Sequence, residues 1–258
     1  MNTFKDHFSG HATTYAAARP RYPESLFEWI ASQCKSHSLA WDAGCGNGQA
    51  SLALTDYFDR VFASDPSASQ IASAEPHGSI TYAVEPAEHC SLADNSADCV
   101  CVAQALHWFD FARFFAEAKR VLKPDGVLFA WTYEKSSVNH DVDVVFEKLY
   151  RGTLDDYWPP ERKHVESAYR DIVFPFTEIE SPHFELRCDW TLSQYLAYLR
   201  SWSASQRYLK ATGIDAVAVI EDDMRLAWGK PEETHSVIWP LTVRAGRFAS
   251  LFFEGEHR

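Results

Sequence analysis

The densest chemistry in the sequence lies in WDAGCGNGQ (41–49), where glycines alternate at positions 44, 46 and 48 just after an acid, Asp42. Glycine tolerates positive φ and lets a ligand approach the backbone more closely than any Cβ permits. The stretch follows an apolar segment at 39–41 and opens a helical pattern over 50–58, so its amides stand where a helix start cradles a phosphate or a carboxylate. Asp42 decides between these ligands. Its carboxylate repels a pyrophosphate but attracts an ammonium group, and an amino acid carries both an ammonium and a carboxylate. A dinucleotide fingerprint beginning at Gly44 needs its third glycine at position 49, which is Gln49, so a nicotinamide oxidoreductase is disfavoured.

Asp65 ends the next apolar segment, VFASD (61–65), at about the 20-residue separation from which an acid accepts hydrogen bonds from ribose hydroxyls. The same residue is placed to cap a helix after Pro66. An amino-acid end and a ribose are therefore both provided for, and S-adenosylmethionine combines them. Gln104 ends a fourth apolar segment and needs a buried partner, for which the methionine portion of that cofactor is a candidate. His107 and Trp108 follow at the carboxyl edge where open α/β sheets bind ligands. His107 there is either a general base or a residue packed against aromatics.

In this order the pieces resemble the class I S-adenosylmethionine-dependent methyltransferases, of the type 11 domain. Asp42, Gly44, Gly46 and Gly48 match the first motif, and Asp65 stands at the ribose-binding acid. Ala87 and Glu88 stand at the adenine stretch, and LKPDG (122–126) at the turn before strand five. QALHWFD (104–110) and the amino-terminal YAAARPRYP (15–23) are similar to a subgroup that includes trans-aconitate methyltransferase-like enzymes, in which the amino-terminal segment covers the cofactor. The resemblance implies cofactor contacts from Tyr15, Arg19, Asp42, Gly44, Cys45, Gly46, Gly48 and Gln49. Asp65, Pro66, Ala87, Glu88, Gln104 and Ala105 complete that set. Acceptor contacts are expected from His107 and Trp108, and from Trp202 and Arg207 within RSWSASQRY (200–208). The implied reaction is methyl transfer to a small molecule, tilted toward O-methylation of a carboxylate held by a cation such as Arg19, Arg21, Arg207 or Arg244. His107 is the expected base for any acceptor that must lose a proton. The alternative is a regulatory protein that binds S-adenosylmethionine without turnover.

These residues need a sheet to hold them. Apolar segments at 39–41, 61–63, 80–84, 99–103 and 127–131 alternate with helical patterns, which predicts a parallel sheet. A helix is predicted over 111–122, broken by KPDG (123–126). Beyond it the pattern predicts helices over 142–150, 161–170 and 214–227, and a helix starting at Thr191 with a capping box to Gln194. A sixth strand is predicted over 184–188 and a last one over 236–243, where Pro240 favours a bulge or an edge. The expected fold is α/β: a doubly wound, mostly parallel, seven-stranded Rossmann-like methyltransferase sheet with helical substrate-covering insertions. It divides a single domain, 1–258, into a cofactor cover (1–30), a cofactor core (36–135), a helical acceptor cover with the sixth strand (136–235) and the final strand (236–248).

Composition bounds the partners. The 258 residues are 46% apolar and carry 24 basic against 36 acidic side chains, a net charge of -12 that opposes nucleic-acid binding. No apolar run approaches the roughly 18 residues of a membrane helix, and the polar start MNTFKD lacks a signal pattern, so a cytoplasmic protein without membrane contact is expected. Six cysteines without a C-x-x-C pair or zinc spacing are expected to be reduced, with no metal. The expected state is a monomer or homodimer.

Overall fold

Strands covered on both faces are apolar throughout. All residues of β1 (Ala40–Ala43) and β2 (Val61–Ser64) are buried, and so are all but the last of β4 (Ala97–Ala103). The computed structural model describes residues 20–248, which form two compact units. One comprises residues 24–132, 170–182 and 243–248; the other comprises 20–23, 133–169 and 183–242.

In the first unit β1 pairs in parallel with β2 on one side and β4 on the other. β3 (Ile80–Ala83) extends the β2 side, and β5 (Leu122–Tyr133) pairs in parallel with β4. The sheet order is β3-β2-β1-β4-β5-β8-β6, with β8 (His235–Arg247) and β6 (Thr177–Ile179) antiparallel to each other. Chain direction out of the sheet reverses between β1 and β4, so the loops after these strands flank the crevice where such folds take ligands. The mostly parallel sheet is the expected one, with one strand more. β6 was not anticipated, because its three residues are polar or half-exposed and show no alternation.

The helices of this unit are α1 (Glu24–Gln33), α2 (Gln49–Leu54), α3 (Ala68–Ala72) and α4 (Phe111–Val121). α4 buries Phe114, Phe115, Ala118 and Val121, and is capped by the Asp110 side chain, which accepts from Arg113 N–H at 3.2 Å. α4 ends at Val121, just before KPDG as predicted, but KPDG itself lies inside the next strand. The register jumps from Ala97↔Leu122 to Cys99↔Val127, so these residues are a bulge inside β5, with Asp125 at φ +65°. At the edge opposite the ligand loops, Asp98 accepts from Ser38 N–H at 2.8 Å, Leu39 N–H at 2.9 Å and Lys123 Nζ at 2.6 Å. Burial works against its charge, yet Lys123 and these amides hold the carboxyl below its usual range. Asp98 thus fastens the start of β1 to β4.

In the second unit β7 (Phe184–Trp190) lies antiparallel to the first part of β8, and Pro240 sits in register opposite Glu185, exposed. Its helices are α5 (His140–Glu147), which continues as a π-helix over Lys148–Thr153, α6 (Arg162–Glu166), α7 (Leu192–Arg200), α8 (Ser203–Thr212) and α9 (Glu221–Trp228). The Thr191–Gln194 capping box is present. α6 is half the predicted length, because Ala168 and Tyr169 turn into the left-handed region at φ +54° and +59°. The predicted 214–227 helix starts late: Asp215 accepts Val217 N–H at 3.0 Å, and a short 3-10 turn precedes α9. Trp202 precedes α8 as its N-cap.

Candidate functional site

β1 delivers its chain directly into the glycine loop, where Gly44, Gly46 and Gly48 take φ of +71°, +56° and +84°. At Gly44 a Cβ would lie 2.8 Å from the Ala105 Cβ and 2.9 Å from the Phe109 Cζ, and at Gly48 it would overlap the Tyr82 ring. The segment after β4 and a side chain of β3 therefore press against the loop as closely as a backbone without side chains allows. Its amides are already engaged: Gly44 and Cys45 N–H both donate to the Ser64 carbonyl at 2.8 and 3.0 Å, Gly48 N–H to the Cys45 carbonyl, and Gly46 N–H to Asp65 Oδ2 at 3.0 Å. The glycine loop itself is thus a shaped, internally bonded surface leading into the start of α2.

Asp65 takes a second amide, Ser67 N–H, on Oδ1 at 2.8 Å. The cap of α3 is not Asp65 but Ser67, which accepts Gln70 N–H at 3.4 Å. Pro66, between them, fixes the φ of that corner. Asp42 is wholly buried in β1 and takes the Ser51 hydroxyl on Oδ2 at 2.5 Å. Its Oδ1 has no hydrogen-bond partner among the described residues. Burial pushes the Asp42 carboxyl up to about 7; the Ser51 hydroxyl and amide pull it down and the Asp65 charge pushes it up again. A buried acid with one oxygen unpartnered is costly unless a cation or donor completes it.

The other anticipated residues of this unit lie on the loops that follow β3 and β4 or at the start of α2. Ala105 packs on Gly44, and Gln104 adopts φ +54° as its N–H donates to the Trp131 carbonyl at 2.9 Å. Ala87 is buried, and Glu88 Oε1 accepts Asp110 N–H at 2.8 Å, tying the loop after β3 to the start of α4. His107 is buried in a 3-10 turn (Leu106–Trp108), its ring 4.7 Å from that of Trp108. Gln49 starts α2. Burial pushes the Cys45 thiol well up, so it is a packing group rather than a nucleophile. Tyr15 and Arg19 lie outside the described residues. Trp202 and Arg207 belong to the other unit, where Trp202 is buried among Phe146, Tyr150, Trp158 and Tyr198. Arg244, considered for a carboxylate, is committed to the Ile172 carbonyl at 2.7 Å and to Glu178. Ser51 and Tyr82 carry no signal of their own in the sequence, because each matters only through a neighbour on another element.

A family profile described as a methyltransferase domain matches residues 41–130. A Dictyostelium discoideum protein provisionally named a methyltransferase is 35% identical over 229 residues, 87% of this chain and 87% of that one. A Saccharomyces cerevisiae protein provisionally named an S-adenosylmethionine-dependent methyltransferase is 32% identical over 228 residues, 73% of this chain and 77% of that one. A solved structure from Anaeromyxobacter dehalogenans, provisionally assigned as a type II methyltransferase, is 47% identical with a TM-score of 0.84, over 90% of this chain and 98% of that one.

Proposed function

Because the chain belongs to the class I S-adenosylmethionine-dependent methyltransferases, we propose that it O-methylates a small carboxylate, with residues 36–135 holding the cofactor and 136–235 contributing to the acceptor site. The observation that carries the cofactor placement is the unpartnered Oδ1 of Asp42 beside a positive-φ glycine loop. Asp42 takes the ligand's ammonium group, and Gly44, Cys45, Gly46, Gly48 and Gln49 form the wall along its amino-acid end. Asp65 holds the ribose hydroxyls from the corner that Pro66 sets. Ala87 and Glu88 border the adenine, Gln104 and Ala105 border the methionine chain, and Tyr15 and Arg19 cover it.

Held by these residues, S-adenosylmethionine would supply a methyl group activated by its sulfonium sulfur. The protein's task is alignment and exclusion of water, and positioning of this kind lowers a barrier by roughly 7 to 11 kcal/mol. A carboxylate is already ionised at neutral pH, so no side chain has to remove a proton. On this acceptor His107 and Trp108 serve as pocket wall. Calorimetric titration with S-adenosylmethionine, S-adenosylhomocysteine and NAD, followed by a methyl-release screen over carboxylic acids, phenols and amines, tests the reading. Binding of both adenosyl ligands with turnover on acids supports it; binding of NAD alone, or turnover confined to amines, overturns it.

A further inference from the structure

Ser51, the third residue of α2, reaches back past the glycine loop to β1. Neither it nor Asp42 has exposed surface. The Asp42 backbone is fixed in the sheet, in register with Ala63 of β2 and Cys101 of β4, so only its carboxyl group is left to turn. The Ser51 hydroxyl, donating to Oδ2 at 2.5 Å, restrains that rotation and leaves Oδ1 as the oxygen without a partner among the described residues. Ser51 also gives its amide to this carboxyl, so both bonds that favour the ionised acid come from one residue. The other groups facing Asp42 oppose ionisation or are neutral. Burial favours the proton, and so does the Asp65 charge just after β2. Cys45 in the loop, Cys101 on β4 and Tyr82 on β3 are pushed up by burial first and by the nearby Asp42 as well, which leaves them uncharged.

A buried carboxylate oxygen without a partner is costly, and a donor that occupies its twin decides which of the two a ligand meets. We propose that Ser51 is a positioning residue for cofactor binding, whose hydroxyl ties up Oδ2 of Asp42 and thereby presents Oδ1 to the cofactor's ammonium group. The inference rests on the reading of Asp42 as the ammonium contact and adds the group that prepares it. Without the hydroxyl, Asp42 keeps its proton to higher pH and its carboxyl group turns more freely, so the ammonium meets a neutral and misdirected acid. A ligand that lacks the α-amino group gains nothing from Asp42. It should therefore be blind to Ser51.

The test titrates S-adenosylhomocysteine, and its analogue lacking the α-amino group, into the full chain as wild type, S51A, D42N and the double variant, across pH 6 to 8. The wild type should prefer the amino ligand and lose that preference toward pH 6. S51A should weaken the amino ligand roughly 5- to 50-fold at pH 7, with the analogue within about twofold of wild type. Its affinity for the amino ligand should still be rising at pH 8, where the wild type has levelled off. In the D42N background the serine change should cost little more, because the two residues act through one contact. Alanine is the better helix former, so a weakened α2 does not account for the loss, and S51T, which keeps the hydroxyl, should recover most of it. If S51A does not fold, S51C substitutes a weak donor of similar size and reads the same contrast. Equal losses on the two ligands, or an unchanged pH profile, overturn the proposal. A wild type indifferent to the amino group strikes the reading of Asp42 and the proposal with it, whereas a wild-type preference left intact in S51A strikes Ser51 alone.

Discussion

Asp42 couples stability and binding with opposite signs. Its folded value, about 7, lies above the ordinary 3.8, so the stability it lends is complete below 3.8 and is lost as pH rises through 7. Above pH 7 the cofactor-free protein carries a buried, half-satisfied charge that costs roughly 2 to 4 kcal/mol. Asp42→Asn should therefore raise the melting temperature at pH 8 by about 5 °C or more, while weakening S-adenosylmethionine. For the wild type, affinity for the cofactor should fall by about tenfold per pH unit below 7, because an ammonium ligand needs the carboxylate; a flat affinity profile between pH 6 and 8 would remove Asp42 from the site. Asp65→Ala should cost roughly 1 to 3 kcal/mol of cofactor affinity by calorimetry. Part of that loss would come from the Gly46 and Ser67 amides, which lose their acceptor.

At the scale of elements, the tightest constraint is the approach of the β4 loop to the β1 loop. Gly44→Ala forces a positive-φ residue against Ala105 and Phe109, and should lower stability by about 2 to 4 kcal/mol in denaturant titration. The same elements explain what the chain discloses before folding. β1, β2 and β4 are readable because both faces are covered, which leaves continuous apolar runs between helical stretches. The residue types and spacing of Asp42, the three glycines and Asp65 are equally local. β6 is not readable, since three residues paired to β8 through backbone bonds need no apolar signature. KPDG reads as a turn by composition, yet a bulge uses the same residues when the partner strand continues past it.

Across the whole chain, charge is excess acid, and among the described residues acids such as Asp94, Asp98 and Glu117 are met by local pairings. Glu117 is held down to about 2, first by the Arg120 bond at 2.6 Å, against the cost of burial, and then by Cys90 N–H at 2.7 Å. Its stability contribution, about 2 to 3 kcal/mol, is present above pH 4.5 and is lost as pH falls toward 2. Glu117→Gln should consequently lower the melting temperature at pH 7, with the gap closing in acid. No helix among the described residues is long and apolar enough to cross a membrane, and no group of three metal-ligating side chains converges among them. The amides of Gly44, Cys45 and Gly46, already bonded to Ser64 and Asp65, carry one more consequence. In deuterium labelling of the entire chain they should exchange slowly before any ligand is added, so cofactor binding would leave its protection footprint elsewhere and the loop would act as a mould set in advance.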